Sequence, residues 1–403
     1  MKFCGRQISR FKFQKNMSAL PQPSPDALAH SNKLRDLIYH DIALQDGWIP
    51  FSRYMELALY APGLGYYSAG AHKFGAAGDF VTAPEISPLF GRTLARQIVE
   101  IMVQSTPVIL ELGAGSGKLA VDILSELEKL SSLPTRYDIL EISTDLRQRQ
   151  KLLLQEHVPH LINRVHWLDA LPEKFSGCVL ANEVLDALPV HLVRWANGEI
   201  SERGVLCIDE QFTWDERAPQ SRMLHHYALE ISKLVVPADN MLSEISLAAR
   251  GLVSSLSERL DKGVLLFIDY GFGAREYYHP QRNNGTLMCH YRHHAHDDPF
   301  FLPGLQDITA HIDFTAVAES AIDMGLHLYG YTTQAHFLIN CGITELLNDT
   351  SPSKVLQYLS LSSQLQKLTS PAEMGELFKV IALGKGMEDT LCGFVAGDKS
   401  RML

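Results

Sequence analysis

The chain has 403 residues, a formal net charge of −10 and a hydrophobic content of 46%. That composition fits a globular protein with a sizeable core, and the lack of any 18-residue apolar run argues against a membrane-spanning helix. The acidic balance argues against a nucleic-acid backbone as main partner, which needs a concentrated basic face, and mildly favours a basic protein instead.

Residues 1–16 carry Lys2, Arg6, Arg10, Lys12 and Lys15 and no acid. A mitochondrial presequence is basic and acid-poor in this way, although serine richness and an apolar stripe are missing. Met17 follows at once, so an upstream start codon on a bacterial reading frame is equally simple. The first reading makes the protein mitochondrial, the second cytoplasmic. Pro21 to Pro25 form an extended linker. Six scattered cysteines (4, 178, 207, 289, 341 and 392) without C-x-x-C spacing suit free thiols in a reducing compartment.

Asp26 to Leu44 reads as a helix with Leu34, Leu37, Ile38 and Ile42 on one side. Ser52 to Tyr60 is a second, stopped by Pro62-Gly63. The loop from Gly63 to Glu85 holds Tyr66, Tyr67 and Phe80. Its aromatics argue for an ordered lid near a ligand, with packing of the helical cap as the alternative. Ser87-Pro88 opens a further helix that turns Phe90, Leu94, Ile98, Ile101 and Met102 inward.

Val108 to Leu112 is an apolar run carrying Glu111, and Gly113-Ala114-Gly115-Ser116-Gly117 follows. An amphipathic helix with Leu119, Ile123, Leu127 and Leu130 comes next. This is a buried parallel strand, a glycine turn and a covering helix. Glycines there let backbone N–H groups approach a ligand where a side chain would collide. A dinucleotide fingerprint would need a third glycine at Lys118, and a phosphate-binding loop would need glycine at Leu112. What remains is E-x-G-x-G-x-G, the form used for S-adenosylmethionine. That ligand has an amino-acid end, a sulfonium and an adenosine but no phosphate, so Glu111 makes electrostatic sense beside it.

Arg136 to Ile142 is the second strand, with Glu141 at its end placed to accept both ribose hydroxyls; the alternative is a solvated charge. Ser143 caps the next helix. Val165 to Ala170 is a third strand ending in Asp169, read as the adenine acceptor. Gly177 to Ala181 and Gly263 to Gly271 are the fourth and fifth. Strands alternating with helices give an α/β, Rossmann-like sheet with ligands at its carboxyl edge.

The fourth strand runs into Asn182-Glu183-Val184-Leu185-Asp186-Ala187-Leu188-Pro189, the position facing a methyl donor. An amide and two carboxylates there suit a cationic nitrogen nucleophile, and a guanidinium, held bidentately, is the strongest case. The alternative for Asp186 is a turn or helix cap. His191 to Trp195 and Arg203 to Ile208 flank Asn197-Gly198, a hairpin signal, inside an inserted subdomain. The stretch Phe272 to Thr309 holds His290, His293, His294, His296, Asp297 and Asp298. Its spacing matches no zinc framework, so no metal is assigned. Helix Phe314–Met324 and strands 326–331 and 378–383 close the chain, the two strands as an antiparallel hairpin.

At this point the residues resemble the MidA-like methyltransferases, bacterial relatives of the mitochondrial complex I assembly factor that methylates an arginine. The matching stretches are Gly65-Tyr66-Tyr67, Gly78 to Ser87 with its T-x-P-E-I-S core, the glycine loop, and N-E-x-x-D-x-L-P at 182–189. Asp269-Tyr270-Gly271, Gly285-Thr286-Leu287, Leu302 to Phe314 and Met374 to Val380 continue the series. Ala114 stands where the mitochondrial relatives tend to have proline, and His290 where an aromatic is expected. The resemblance implies S-adenosylmethionine as cofactor, a protein arginine as acceptor and a link to respiratory complex assembly.

The sequence therefore reads as a class I methyltransferase in five parts. These are a basic leader and linker (1–25), a helical cap (26–105), the cofactor-binding core (106–190), an inserted subdomain (191–262) and the completion of the core (263–403). Glu111, Gly113, Gly115, Gly117, Glu141 and Asp169 are the expected cofactor residues. Glu183, Asp186 and Asn182 are the expected catalytic group. A cofactor-binding assembly protein with little catalysis is the competing class, and an NAD-dependent oxidoreductase, opposed by Lys118, is a distant third.

Overall fold

Runs of buried aliphatic residues define a central sheet in the computed structural model, which describes residues 20–69, 82–348 and 355–403. Its strands are β1 (Val108–Leu112), β2 (Arg136–Leu140), β3 (Val165–Leu168), β4 (Phe175–Asn182), β5 (Leu260–Phe272), β6 (His327–Thr333) and β7 (Phe378–Lys385). Across the sheet they lie in the order β3-β2-β1-β4-β5-β7-β6. β7 runs antiparallel between β5 and β6, so the terminal hairpin expected from sequence is present. The basic leader and Phe80 lie outside the described residues.

Period-two alternation decides which face each strand residue covers. Ile109, Leu180, Leu266 and Ile268 pack toward helices α3 (Pro88–Gln104) and α4 (Lys118–Lys129), against Leu94, Ile98, Ile123 and Leu127. Leu110, Val179, Leu265 and Phe267 pack the opposite way, toward α6 (Leu247–Arg259) and α7 (Phe314–Ile322). Each such fully buried apolar side chain contributes about 1.5–3 kcal/mol. Helix α5 (Thr144–His157) follows β2, with Ser143 accepting the N–H of Leu146 as its cap.

Helices α1 (Pro25–Leu44) and α2 (Phe51–Tyr60) form the cap. Leu34, Ile38, Phe51 and Tyr54 share one core with Leu192, Val205 and Ile308. Ile49–Pro50 pairs with Gly204 and Val205 as the edge of a five-stranded sheet built from residues 191–196, 199–208, 211–217 and 241–245. Cap and insertion are thus packed as one body. Two helices change allegiance relative to the sequence reading. α3, grouped there with the cap, covers the central sheet, and α6, grouped with the insertion, covers its other face. Amphipathicity tells how much of a helix is buried but not against what.

The Asn197-Gly198 hairpin forms as expected, with φ of +52° and +78° at the two turn residues. The histidine-rich stretch folds into a small sheet of residues 288–291, 294–296 and 307–309, with Cys289 and Ile308 entering the cap core. Three helices between β6 and β7, at Gln334–Asn340, Ile343–Asn348 and Val355–Thr369, have no counterpart in the sequence reading. No helix among the described residues is long and apolar enough to cross a membrane.

Candidate functional site

A cavity of about 330 Å³ opens at the carboxyl ends of β1, β2 and β4, roofed by the cap. That size falls within the range of small-molecule sites. Gly113 and Gly115 line it, with φ of +60° and +54°. The N–H of Gly113 donates to Leu140 O at 3.0 Å and that of Gly117 to Ala114 O at 2.8 Å. These two amides are therefore used inside the protein, and Gly117, the N-cap of α4 packed on Gln150, does not line the cavity. What Gly113 offers is space, because a Cβ there would meet Val184 Cγ2 at 3.2 Å.

Glu111 lines the cavity, 2% exposed, and accepts the Tyr137 hydroxyl at 2.8 Å. Burial pushes its carboxyl up to about 7, partly opposed by that hydrogen bond. Glu141 accepts the N–H of Ser143 at 2.9 Å on one oxygen and the Gln150 amide at 3.1 Å on the other. Each carboxylate oxygen retains acceptor capacity toward the cavity. Asp169 is different. Its side chain is 91% exposed, pairs with Arg147 at 2.7 Å and is not among the residues that line the cavity. The structure does not place Asp169 in the cavity wall; it is held instead by Arg147, on the first turn of α5.

Beyond β4 the chain makes a strained turn. Glu183 adopts φ +52°, a left-handed conformation that costs a non-glycine residue about 1–2 kcal/mol. Its N–H donates to Ile268 O at 2.9 Å, which ties the turn to β5. Asn182, Glu183 and Asp186 all line the cavity. Burial, and then the neighbouring Asp186, push the Glu183 carboxyl up to about 8, although the Asn182 amide and the Ala83 N–H bind it. Burial raises Asp186 as well, opposed by the Tyr270 hydroxyl, which donates to its Oδ2 at 2.5 Å.

Several residues here escaped the sequence reading. Glu85, in the T-x-P-E-I-S stretch, accepts the Ser116 hydroxyl of the glycine loop at 2.5 Å. That stretch therefore touches both the glycine loop, through Glu85, and Glu183, through Ala83. Tyr60 and Tyr67 line the cavity, whereas Tyr66 is buried in the cap core, so the loop aromatics divide between the two readings. Asp269 accepts backbone N–H groups of Leu185 at 3.0 Å and Asp186 at 3.2 Å. Of the two departures from the family pattern, Ala114 lines the cavity and His290 does not.

The described lining residues include five carboxyl groups, Glu85, Glu111, Glu141, Glu183 and Asp186, and no lysine, arginine or histidine. Such a lining suits cationic ligands and opposes polyphosphates.

Comparison with known proteins agrees. Residues 93–332 match the family model described as "Putative S-adenosyl-L-methionine-dependent methyltransferase". A Burkholderia thailandensis protein crystallised with S-adenosyl-homocysteine is 48% identical, with a TM-score of 0.92, and the match covers 96% of this chain and 100% of that one. The mitochondrial protein arginine methyltransferase NDUFAF7 homolog of Drosophila melanogaster is 31% identical over 85% of this chain and 83% of its own. The human mitochondrial protein arginine methyltransferase NDUFAF7 is 29% identical over 87% and 82%. A phosphate-free, cationic cofactor fits the acidic cavity and the side-chain-free wall at Gly113. The chain belongs to the MidA-like family of S-adenosyl-L-methionine-dependent methyltransferases.

Proposed function

We propose that the protein methylates a guanidinium nitrogen of an arginine in a protein substrate. The observation that carries this reading is a cavity with five carboxyl groups and no basic side chain among its described lining residues, with Glu183 and Asp186 on the turn that follows β4. The names of the mitochondrial relatives, protein arginine methyltransferases, support the same acceptor.

When bound, the cofactor supplies an electrophilic methyl group on a sulfonium. Glu111 holds its amino-acid end and Glu141 its ribose hydroxyls, while Gly113 and Gly115 leave room for close approach. Glu183 and Asp186 orient the guanidinium, and a carboxylate of that pair takes the proton that the methylated nitrogen sheds. Asn182 steadies Glu183 through its amide. Leu188, Leu252 and Tyr60 keep water away from the reacting nitrogen.

The test is transfer of tritiated methyl to a lysate lacking the gene product, with the labelled residue mapped. Label on an arginine is the expected outcome. Label on lysine or on a small molecule would displace this acceptor, and no label at all would favour a binding role without chemistry.

A further inference from the structure

Gly65 lets the chain fold back on the end of α2, since a Cβ there would lie 2.5 Å from the backbone nitrogens of Tyr60 and Ala61. The N–H groups of Tyr66 and Tyr67 then donate to Ala58 O and Leu59 O at 2.9 and 2.8 Å. This reversal lays the Tyr67 ring on that of Tyr60, with centroids 5.5 Å apart and planes 20° from parallel. Tyr66 supports Tyr67 edge-on at 5.1 Å.

The hydroxyls of both cavity-lining tyrosines are already committed as donors. Tyr60 donates to Ala187 O at 2.9 Å and Tyr67 to Asp307 Oδ1 at 3.0 Å. Toward the cavity these residues can present only ring surface and oxygen lone pairs, and both attract a cation rather than an anion. Burial, and after it the Asp307 carboxylate, raises both phenols, which keeps them neutral. Ala187, which anchors Tyr60, directly follows Asp186, so the aromatic pair is fastened to the same turn that carries the paired carboxylates.

We propose that Tyr60 and Tyr67 form the specificity wall of the acceptor subsite, giving π-surface to a planar cation whose charge faces Glu183 and Asp186. The inference rests on the arginine reading above and adds the residues that select the acceptor side chain. Neither tyrosine takes a proton. They discriminate by shape and charge, favouring a guanidinium over a neutral planar group.

The experiment is calorimetry on the full chain saturated with S-adenosyl-homocysteine. The titrants are N-acetyl-arginine amide and its neutral, near-isosteric counterpart, N-acetyl-citrulline amide. Wild-type protein should prefer arginine by about tenfold or more. Tyr60→Leu and Tyr67→Leu should each weaken arginine binding by about fivefold or more, while Tyr60→Phe and Tyr67→Phe stay within about twofold. S-adenosyl-homocysteine affinity should be unchanged in all four, which also reports correct folding. Leucine variants with wild-type arginine affinity would overturn the wall and leave the arginine reading standing. Phenylalanine variants as weak as the leucine ones would assign the effect to the hydroxyls and likewise overturn it. Equal binding of arginine and citrulline by the wild type would remove both the wall and the arginine reading.

Discussion

Asp269 Oδ2 accepts the backbone N–H of Asp186 at 3.2 Å, so a carboxylate on β5 fixes the turn that carries a second carboxylate into the cavity. The same oxygen accepts the N–H of Leu185 at 3.0 Å, and Oδ1 accepts that of Tyr270 at 2.9 Å. Tyr270 in turn donates its hydroxyl to Asp186 Oδ2. One aspartate thereby sets both the backbone and, through Tyr270, the side-chain position of Asp186. Burial and the nearby Asp186 and Glu183 drive Asp269 well above the usual carboxylate range, an expense that three backbone amides offset in part.

Asp269→Asn replaces one of those acceptor oxygens with an NH₂ group facing a backbone N–H. Removing a partner from a buried amide costs about 1–3 kcal/mol. The variant should lose stability on that scale in urea titration, and kcat should fall at least tenfold through a displaced Asp186 (about 1.4 kcal/mol). S-adenosyl-homocysteine affinity should hold, because Asp269 is not part of the cavity wall. A variant with unchanged kcat on the mapped acceptor would show that Asp269 serves folding alone.

Gly113→Val should abolish tight cofactor binding. A valine there is strained at φ +60° and its Cβ meets Val184 Cγ2 at 3.2 Å before any ligand is considered. Val184 lines the same cavity, so the branched side chain intrudes on the space proposed for the cofactor. Affinity measured by calorimetry should fall by tenfold or more, about 1.4 kcal/mol. A folded variant with wild-type affinity would remove the glycine loop from the binding site.

Glu141→Ala separates a ligand contact from a structural charge. The carboxylate organises Ser143 and Gln150, and Gln150 in turn donates to Gly115 O and accepts from Trp167. Losing a charged acceptor of the ribose should weaken cofactor binding by about 1.5–3 kcal/mol. A variant that loses stability but keeps its cofactor affinity would make Glu141 a strut for the glycine loop.

The strand–glycine–helix unit was legible because three local signals coincide there: an aliphatic run, three alternating glycines and a 3.6-residue stripe. The α/β character of the sheet followed from alternation of strands and helices, whereas the order of its strands came only from the structure. The engagement of Asp169 by Arg147 was not legible. A strand-end acid has the same local signature whether it faces the cavity, as Glu141 does, or is claimed by Arg147. Pairing of Ile49 with Val205 is equally invisible to a local reading, since a two-residue edge strand has no period. Turns at Asp209-Glu210 and Arg292-His293 take positive φ at both positions without a glycine to announce them. The Cys341 and Cys392 thiols lie 3.7 Å apart, yet their separation of 51 residues carries no spacing signal.

Glu183 gives the prediction in which stability and activity should move oppositely. Its carboxyl, ordinarily at 4.5, is pushed up to about 8 by burial and then by Asp186. Between those two values the unfolded chain has released a proton that the folded chain still holds. The native state then binds more protons than the unfolded one, so stability falls as pH rises through this window and the loss is complete above about pH 8. A shift of that size amounts to a few kcal/mol, on the order of 1.36 kcal/mol per unit. Glu183→Gln keeps shape and hydrogen bonding but cannot ionise. Other buried acids titrate nearby, so the informative quantity is the difference between variant and wild type, measured as urea midpoints from pH 5 to 9. That difference should be small at pH 5 and should favour the variant increasingly toward pH 8.5. On the mapped acceptor the same variant should lose about a hundredfold in methyl transfer, the scale of general-base and charge-orientation losses, with S-adenosyl-homocysteine affinity little changed. A buried ionisable carboxyl kept at a cost in stability, ready to take up charge beside a cation, is what a group that meets a cationic acceptor requires. A pH-independent difference would mean that Glu183 ionises normally in the free protein, and full activity of Glu183→Gln would remove it from the chemistry.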